Sequence, residues 1–135
     1  IQRKAHNIAK TYVKKLSNTK EKNVFKIMQH VDLAEKLILD GELNDFGKLM
    51  NDSWEEKKKL GKIISNNKID QLYDFSLKNG AMGGKLLGAG GGGFLLLYVP
   101  KNKQNKLIKK LKKTIHVPFK FSHNGSEQIF NTIRK

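Results

Sequence analysis

The 135-residue sequence has no cysteine, two prolines and only two arginines. Without cysteine, disulfide bonds, thiolate metal sites and cysteine nucleophiles are excluded, so the core alone must hold the domain together. The longest apolar run, Phe94–Val99, is far shorter than the roughly 20 residues that a membrane-spanning helix needs. Nothing resembles a signal peptide. We therefore expect a cytoplasmic protein with no membrane partner.

Acidic residues are also scarce. The sequence has 12 Asp and Glu and 27 Lys and Arg, which gives a formal net charge of +15. A strongly basic balance raises the prior for a nucleic-acid partner, since lysine near phosphates releases counterions. Arginine, the residue of bidentate phosphate and base recognition, occurs only at positions 3 and 134, however, and no basic run is interleaved with aromatic residues. A solvated lysine-rich surface is the favoured interpretation, and a basic nucleic-acid-binding module is the alternative.

The length fits one compact domain covering residues 1–135. The first residue is Ile1 rather than Met, and a helical pattern starts almost immediately. We therefore expect the chain to begin partway through a longer protein, with part of the function in the preceding residues.

Apolar residues recur at steps of three and four through the first half, which predicts four helices. Gly41 is the end signal of the second helix. Gly47, inside the third, suggests that another group approaches the helix backbone closely. Asn67 is the predicted N-cap of the fourth helix, and Asn79-Gly80 is its stop signal. The first three helices are predicted at residues 3–16, 24–38 and from 43 or 44 to about 60.

After the fourth helix the apolar period becomes that of strands, and two extended segments on either side of a glycine run predict a β-hairpin. A fifth helix, with Asn102 as its cap and an end at about Lys113, follows. An Asn-Gly turn between two short alternating segments then predicts a second hairpin. The sequence therefore predicts an α+β fold with helices packed on a four-stranded antiparallel sheet. The strands are predicted at residues 82–87, 94–99, 119–123 and 126–132.

Eight of the 12 glycines lie between Gly80 and Gly93. A glycine loop lets backbone N–H groups converge on an anion, because no side chain blocks the approach. The dinucleotide-binding fingerprint is excluded, since a strand rather than a helix follows and no Asp occurs after Asp74. A P-loop is excluded because Gly84-Lys85 is followed by Leu86. A protein-kinase glycine loop is excluded because the accompanying kinase motifs are absent.

The segment Gly80–Phe94, Gly-Ala-Met-Gly-Gly-Lys-Leu-Leu-Gly-Ala-Gly-Gly-Gly-Gly-Phe, closely resembles the third conserved motif of the galactokinase, homoserine kinase, mevalonate kinase and phosphomevalonate kinase superfamily, the GHMP kinases. Four further segments share the resemblance: Asp45–Met50, Ser53–Lys58, Ile69–Tyr73 and Val117–Phe121. Together they are similar to the C-terminal half of the sugar kinases that act on D-glycero-D-manno-heptose 7-phosphate. They cover most of the chain from about Val31 onward.

The resemblance implies a C-terminal domain with a ferredoxin-like plait, from a kinase that uses ATP and Mg to phosphorylate a sugar hydroxyl. The implied substrate is a heptose 7-phosphate, and the implied partner in cis is an N-terminal kinase domain that binds most of the ATP and Mg. The fragment alone is expected to be inactive. A homodimer is left open, as is a regulatory domain that binds a small ligand without chemistry.

By the same resemblance Gly88, Ala89, Gly90 and Gly91 form a wall of the phosphate and substrate cleft. Lys85 precedes this bend by three residues and points either to the cleft or to solvent. The alternative is that glycine is needed here only for tight packing against the hairpin. The resemblance also implies that the fragment holds no catalytic residue, because the acidic residue near the acceptor hydroxyl usually lies in the N-terminal domain. No metal site is expected, because the four His do not form a ligand set.

Trp54 and Lys57 are candidate substrate-binding residues, because three- and four-residue spacing places Trp54 on one helix face with Lys57 or Lys58. A sugar suits an aromatic platform, and a phosphorylated sugar requires a cation. The alternative is that Trp54 is a core aromatic residue and the lysines are solvated.

Overall fold

A computed structural model of the chain describes residues 18–88, 91–121 and 125. The predicted helix at residues 3–16 and the predicted strand at 126–132 lie outside this part of the chain. The described elements follow the predicted order of helices, hairpin and helix. They are α1 (Asn18–Leu39), α2 (Leu43–Lys59), α3 (Asn67–Lys78), β1 (Gly83–Leu87), β2 (Phe94–Tyr98) and α4 (Lys101–Lys110).

The signals that end helices α1 and α3 act as predicted. Gly41 has φ +75° and Gly80 has φ +109°, the left-handed conformation that terminates a helix. The start of α3 differs by one position, because Asn66 rather than Asn67 is the N-cap. The Asn66 side chain accepts hydrogen bonds from the backbone N–H groups of Lys68 and Ile69, while Asn67 is already helical.

Helix α4 also starts and ends earlier than predicted. Asn102 was the expected cap, but the helix begins at Lys101 after Pro100, whose φ of −52° suits a residue at the entrance to a helix. Asn102 lies inside the first turn, and the helix ends at Lys110. A proline at the junction fixes the backbone without any side-chain cap.

The two central strands form the predicted antiparallel hairpin. Gly83 lies opposite Tyr98 at one end, and Leu87 lies opposite Phe94 at the other. This register leaves residues 88–93 as the connection between the strands. Both ends of that connection are therefore fixed by strand pairing.

The predicted four-stranded sheet is confirmed only for these two strands. Within the described residues the sheet contains β1 and β2 alone. The predicted third strand starts at Phe119, and residues 119–121 are not in a strand. An alternating apolar pattern is not sufficient for a strand unless a partner strand takes up its hydrogen bonds. The rest of the predicted second hairpin, except residue 125, lies outside the described part.

A core of five buried residues joins α2, α3 and β1, and α2 also packs along α1. Helix α2 approaches β1 so closely that a Cβ at Gly83 would collide with the carbonyl oxygen of Gly47 and lie 2.7 Å from the backbone N of Asn51. The close approach expected from Gly47 is thereby confirmed. The core residues are Trp54, Leu60, Ile64, Tyr73 and Leu86.

Helix α1 buries less of its apolar stripe than its sequence predicts. Val24 and Ile27 pack against the core, but Met28, Val31 and Ile38 are 61%, 64% and 51% exposed. Apolar periodicity predicts that a helix has an apolar face, but it does not predict which part of that face packs against other elements. Among the described helices none combines the length and the apolar character needed to cross a bilayer.

Candidate functional site

The glycine bend, residues Gly88–Gly93, contains the predicted cleft wall. Gly88 and Gly93 have φ +132° and +129°, a region that L side chains rarely adopt. A Cβ at Gly93 would also collide with the carbonyl of Leu87. The backbone itself therefore requires glycine at both ends of the bend. Ala89 and Gly90, two of the predicted cleft residues, lie outside the described residues.

One side of the bend is fastened to the segment that precedes α3. Gly91 donates its N–H to the carbonyl oxygen of Ile64 at 3.1 Å, and Asn66 Nδ2 donates to the carbonyl oxygen of Gly91 at 3.1 Å. We call these two hydrogen bonds the clasp. Because the Gly91 amide is engaged within the domain, an anion at the bend would have to be met by other amides.

The remainder of the described bend is open. Gly88 and Gly92 are exposed, and a Cβ added at Gly92 would meet no described atom within 4 Å. Backbone amides that no side chain covers are the feature of anion-binding loops. Tight packing accounts for Gly83, in β1, but it does not account for Gly92.

Lys57 and Lys85 form a pair of positive charges beside the hairpin, here called the lysine pair. Lys57 lies in α2, three residues from the core residues Trp54 and Leu60, whereas Lys85 lies in β1 and points to the face opposite its buried neighbour Leu86. Lys57 is half-buried and Lys85 is exposed. Burial lowers the pKa of Lys57, and the nearby charge of Lys85 lowers it further.

The adjacent lysine has a different environment. Lys58 Nζ lies 2.8 Å from Glu55 Oε1 and 3.9 Å from Asp70 Oδ1, so its charge is compensated. Neither member of the lysine pair forms an ion pair with a carboxylate among the described residues. Two neighbouring cations without a counter-charge favour the binding of an anionic group.

Trp54, the other predicted substrate contact, is 2% exposed. Its ring packs against Tyr73 with centroids 6.2 Å apart, and its Nε1 has no hydrogen-bond partner among the described residues. A sugar platform needs an open ring face, which burial of this extent removes. The burial favours the alternative interpretation of Trp54 as a core aromatic residue.

Tyr73 links the core to the base of the hairpin. Its hydroxyl donates to Asn51 Oδ1 at 3.0 Å, and its oxygen lies beside the backbone of Gly84. Burial, with a smaller contribution from the charge of Glu55, raises the pKa of Tyr73 to about 12. The phenol is therefore neutral at physiological pH, and its contacts are structural.

Sequence reasoning missed Asn66 and Ile64 as partners of the glycine bend. The run Ser65-Asn66-Asn67 does carry a capping signal, but the pattern alone does not show that Asn66 rather than Asn67 is the cap. Asn66 and Gly91 are 25 positions apart, however, and their contact depends on how α3 packs beside the hairpin. No local pattern encodes such a contact.

The described residues contain no group of three His, Asp or Glu side chains that could hold a metal ion. Mg prefers several oxygen ligands in an octahedral arrangement. The described residues around the glycine bend therefore offer phosphate-binding groups, namely backbone amides and ammonium nitrogens, rather than a cluster of metal ligands.

Three comparisons relate the chain to known proteins. The family model "GHMP kinases C terminal" matches residues 34–117. The chain is 31% identical over 114 residues to D-glycero-alpha-D-manno-heptose 7-phosphate kinase of Campylobacter jejuni, which is 84% of this chain and 34% of the relative. It is 45% identical over 69 residues to mevalonate kinase of Methanocaldococcus jannaschii, which is 51% of this chain and 21% of that protein.

The fold is similar to that of L. major mevalonate kinase, solved in complex with R-mevalonate, with a TM-score of 0.74 at 20% identity. The likeness covers 84% of this chain and 35% of the solved chain. The chain thus spans about a third of the length of this protein and of the C. jejuni relative. The sequence match over residues 34–117 is the stronger result for descent, and by it the chain belongs to the GHMP kinase C-terminal family.

Proposed function

We propose that this chain is the C-terminal domain of a cytoplasmic, ATP-dependent sugar kinase that phosphorylates a hydroxyl group of a heptose 7-phosphate. The observation that carries the proposal is the likeness to D-glycero-alpha-D-manno-heptose 7-phosphate kinase, which extends over 84% of the chain. The matches to mevalonate kinase and galactokinase support the coarser assignment to small-molecule kinases.

The glycine bend is proposed to form one wall of the phosphate and substrate cleft. Phosphoryl transfer depends mainly on positioning and on electrostatic stabilisation of the charged oxygens. The exposed backbone at Gly88 and Gly92 can approach a phosphate without interference from side chains. Ala89 and Gly90 are proposed to belong to the same wall, whereas Gly91 contributes by anchoring it through the clasp.

The lysine pair is proposed to hold the phosphate that the acceptor already carries. Lys57 lies on the packed face of α2. Lys85 lies in β1, the strand that leads into the bend. A phosphate bound between them would compensate both charges and remove the repulsion that lowers the pKa of Lys57.

ATP supplies the phosphoryl group, and Mg supports the transfer when bound. The described residues contain no group of three metal-ligating side chains, and we propose from the family likeness that an N-terminal domain in cis binds Mg and most of the nucleotide. In that arrangement this chain shapes the cleft and neutralises charge, and it carries no catalytic residue of its own. A homodimer is compatible with the proposal but is not required by it.

The test is a kinase assay of the longer protein of which this chain is proposed to be a part. With ATP and Mg, we expect phosphate transfer to D-glycero-D-manno-heptose 7-phosphate and much slower transfer to unphosphorylated heptose, galactose and mevalonate. Transfer to galactose or mevalonate instead would contradict the heptose phosphate assignment while preserving the kinase. A protein that phosphorylates none of these acceptors would contradict the proposal as a whole.

A further inference from the structure

The segment between α2 and α3 is a firm support for the glycine bend. Ile64 is 4% exposed and belongs to the core. Ser65 Oγ donates to Asp70 Oδ1 at 2.7 Å, which ties the segment to the first turns of α3. Asn66 caps the same helix. Residues 64–66 are therefore held by apolar burial, by a side-chain hydrogen bond and by a helix cap.

Both polar backbone groups of Gly91 are bound to this support. Its N–H donates to Ile64, and its carbonyl accepts from Asn66. A residue bound through both groups cannot shift without breaking at least one of these hydrogen bonds, so the loss of either one releases part of the restraint. Gly91 is bonded directly to Gly92, one of the exposed residues of the bend, so its anchoring restrains the position of Gly92 as well.

The Asn66 side chain uses both ends of its amide. Oδ1 accepts from the N–H groups of Lys68 and Ile69 at 3.1 Å each, and Nδ2 donates to Gly91 at 3.1 Å. Aspartate at this position retains the acceptor for the cap but has no donor for Gly91. Serine also retains a cap acceptor, but its side chain is shorter and lacks the amide nitrogen that reaches the Gly91 carbonyl.

We propose that Asn66 is a positioning residue that sets the glycine bend for phosphoryl transfer through its hydrogen bond to Gly91. The inference rests on the proposed kinase function, but it assigns a role to a residue outside the motif and outside the lysine pair. Positioning is worth measuring because a displacement of about 1 Å in an active site can cost about 100-fold in rate.

The experiment compares Asn66→Asp with wild type in the longer kinase, using ATP and the sugar that the wild type phosphorylates fastest. Asn79→Asp is the matched control. Asn79 Nδ2 likewise donates to a backbone carbonyl, that of Phe75 at 2.7 Å. It lies at the opposite end of the 12-residue helix α3, 13 positions from Asn66 and therefore about 20 Å away at about 1.5 Å per residue.

For Asn66→Asp we expect kcat to fall about 10-fold or more, with KM for ATP and for the sugar within about twofold of wild type and an unchanged melting temperature. Asn79→Asp should retain wild-type kcat. Asn66→Ser, which also keeps a cap acceptor, should lose kcat to a similar extent. Hydrogen exchange at the Gly91 amide should be faster in both Asn66 variants than in wild type.

The inference is overturned if Asn66→Asp retains the kcat of Asn79→Asp in a kinase whose wild type is active. It is also overturned if kcat falls only in proportion to lost folded protein, because the cap alone would then explain the effect. A wild type that phosphorylates no sugar is a different outcome, since it removes the proposed function first and the positioning role with it.

Discussion

Lys57 and Lys58 are adjacent in α2, yet they have opposite electrostatic environments. Lys58 forms ion pairs with Glu55 and Asp70. The charged side chain that acts on Lys57 is instead a second cation, Lys85. A half-buried ammonium beside a second cation is unfavourable unless an anion joins them. This contrast between Lys57 and Lys58 is the basis for the proposal that Lys57 binds the substrate and that Lys58 has a structural role.

The lysine contrast can be tested by Lys57→Met in the longer kinase, with Lys58→Met as the matched control. A hydrogen bond to a charged group contributes about 1.5–3 kcal/mol, so we expect KM for the sugar phosphate to rise about 10-fold or more in Lys57→Met. KM for ATP should not change. Steady-state kinetics check this, and equal effects of the two substitutions on KM for the sugar phosphate would contradict the assignment.

Glu56 shows how one carboxylate fastens α1 to α2. Asn23 Nδ2 donates to Glu56 Oε2, while Lys59 Nζ donates to Oε1 at 2.9 Å and Lys26 Nζ lies 3.5 Å from it. The hydrogen bonds from Lys59 and Asn23 lower the pKa of Glu56 from its ordinary 4.5 to about 2. The charged form is therefore favoured in the folded state.

The pH dependence follows from the direction of that shift. A carboxyl whose pKa is lower in the folded state stabilises the fold fully above the unfolded pKa, and its contribution is lost as pH falls from about 4.5 to about 2. We expect wild type to lose more stability than Glu56→Gln between pH 6 and pH 3. Urea unfolding at the two pH values measures this, and identical losses in the two proteins would argue against the carboxylate's role.

At the level of elements, the contact between α2 and β1 depends on glycine backbones. A Cβ at Gly83 would meet the Gly47 carbonyl and the Asn51 nitrogen, which are backbone atoms and cannot turn aside as a side chain does. The interface between helix and hairpin is therefore set by the absence of side chains. Since β1 leads into the glycine bend, this contact also fixes the base of the candidate site.

Gly83→Ala is accordingly expected to destabilise the fold by about 1–3 kcal/mol, the usual cost of overpacking a tight interior. Gly61→Ala is the matched control, because a Cβ there would meet no atom within 4 Å and its φ is not positive. It should leave stability unchanged or raise it slightly through the unfolded chain. Denaturant unfolding checks both variants, and similar stabilities for the two would disprove the packing argument.

Much of the element order could be predicted from the sequence, because its signals are local. Gly41 and Gly80 end their helices, and the switch of apolar period marks the hairpin. Predictions were less accurate where two candidates compete within a turn, as for the caps assigned to Asn67 and Asn102. They failed for the stripe of α1 because its coverage depends on neighbouring elements, which periodicity does not contain.

The candidate site likewise has one part that local sequence patterns predict and another part that depends on contacts between distant residues. The glycine cluster locates the bend from sequence alone, because few folded segments require so many residues without side chains. The clasp between Asn66 and Gly91 and the proximity of Lys57 to Lys85 join positions far apart in the chain. Trp54 has the spacing of a substrate contact, but its 2% exposure follows from packing against Tyr73.

At the level of the whole molecule, the chain matches about a third of the length of the C. jejuni and L. major kinases and carries a net charge of +15. The central claim is that its glycine bend borders the phosphates in a cleft shared with a second domain. That claim assigns the bend a binding role in addition to the conformational one visible at Gly88 and Gly93.

The most direct measurement is a crystal structure of the longer protein with a non-hydrolysable ATP analogue and a heptose 7-phosphate. We expect a phosphate oxygen within hydrogen-bond distance, about 3 Å, of a backbone amide of the glycine bend other than that of Gly91, and the sugar's own phosphate between Lys57 and Lys85. A bend that faces away from both ligands, with no phosphate oxygen near any of its amides, would contradict the account.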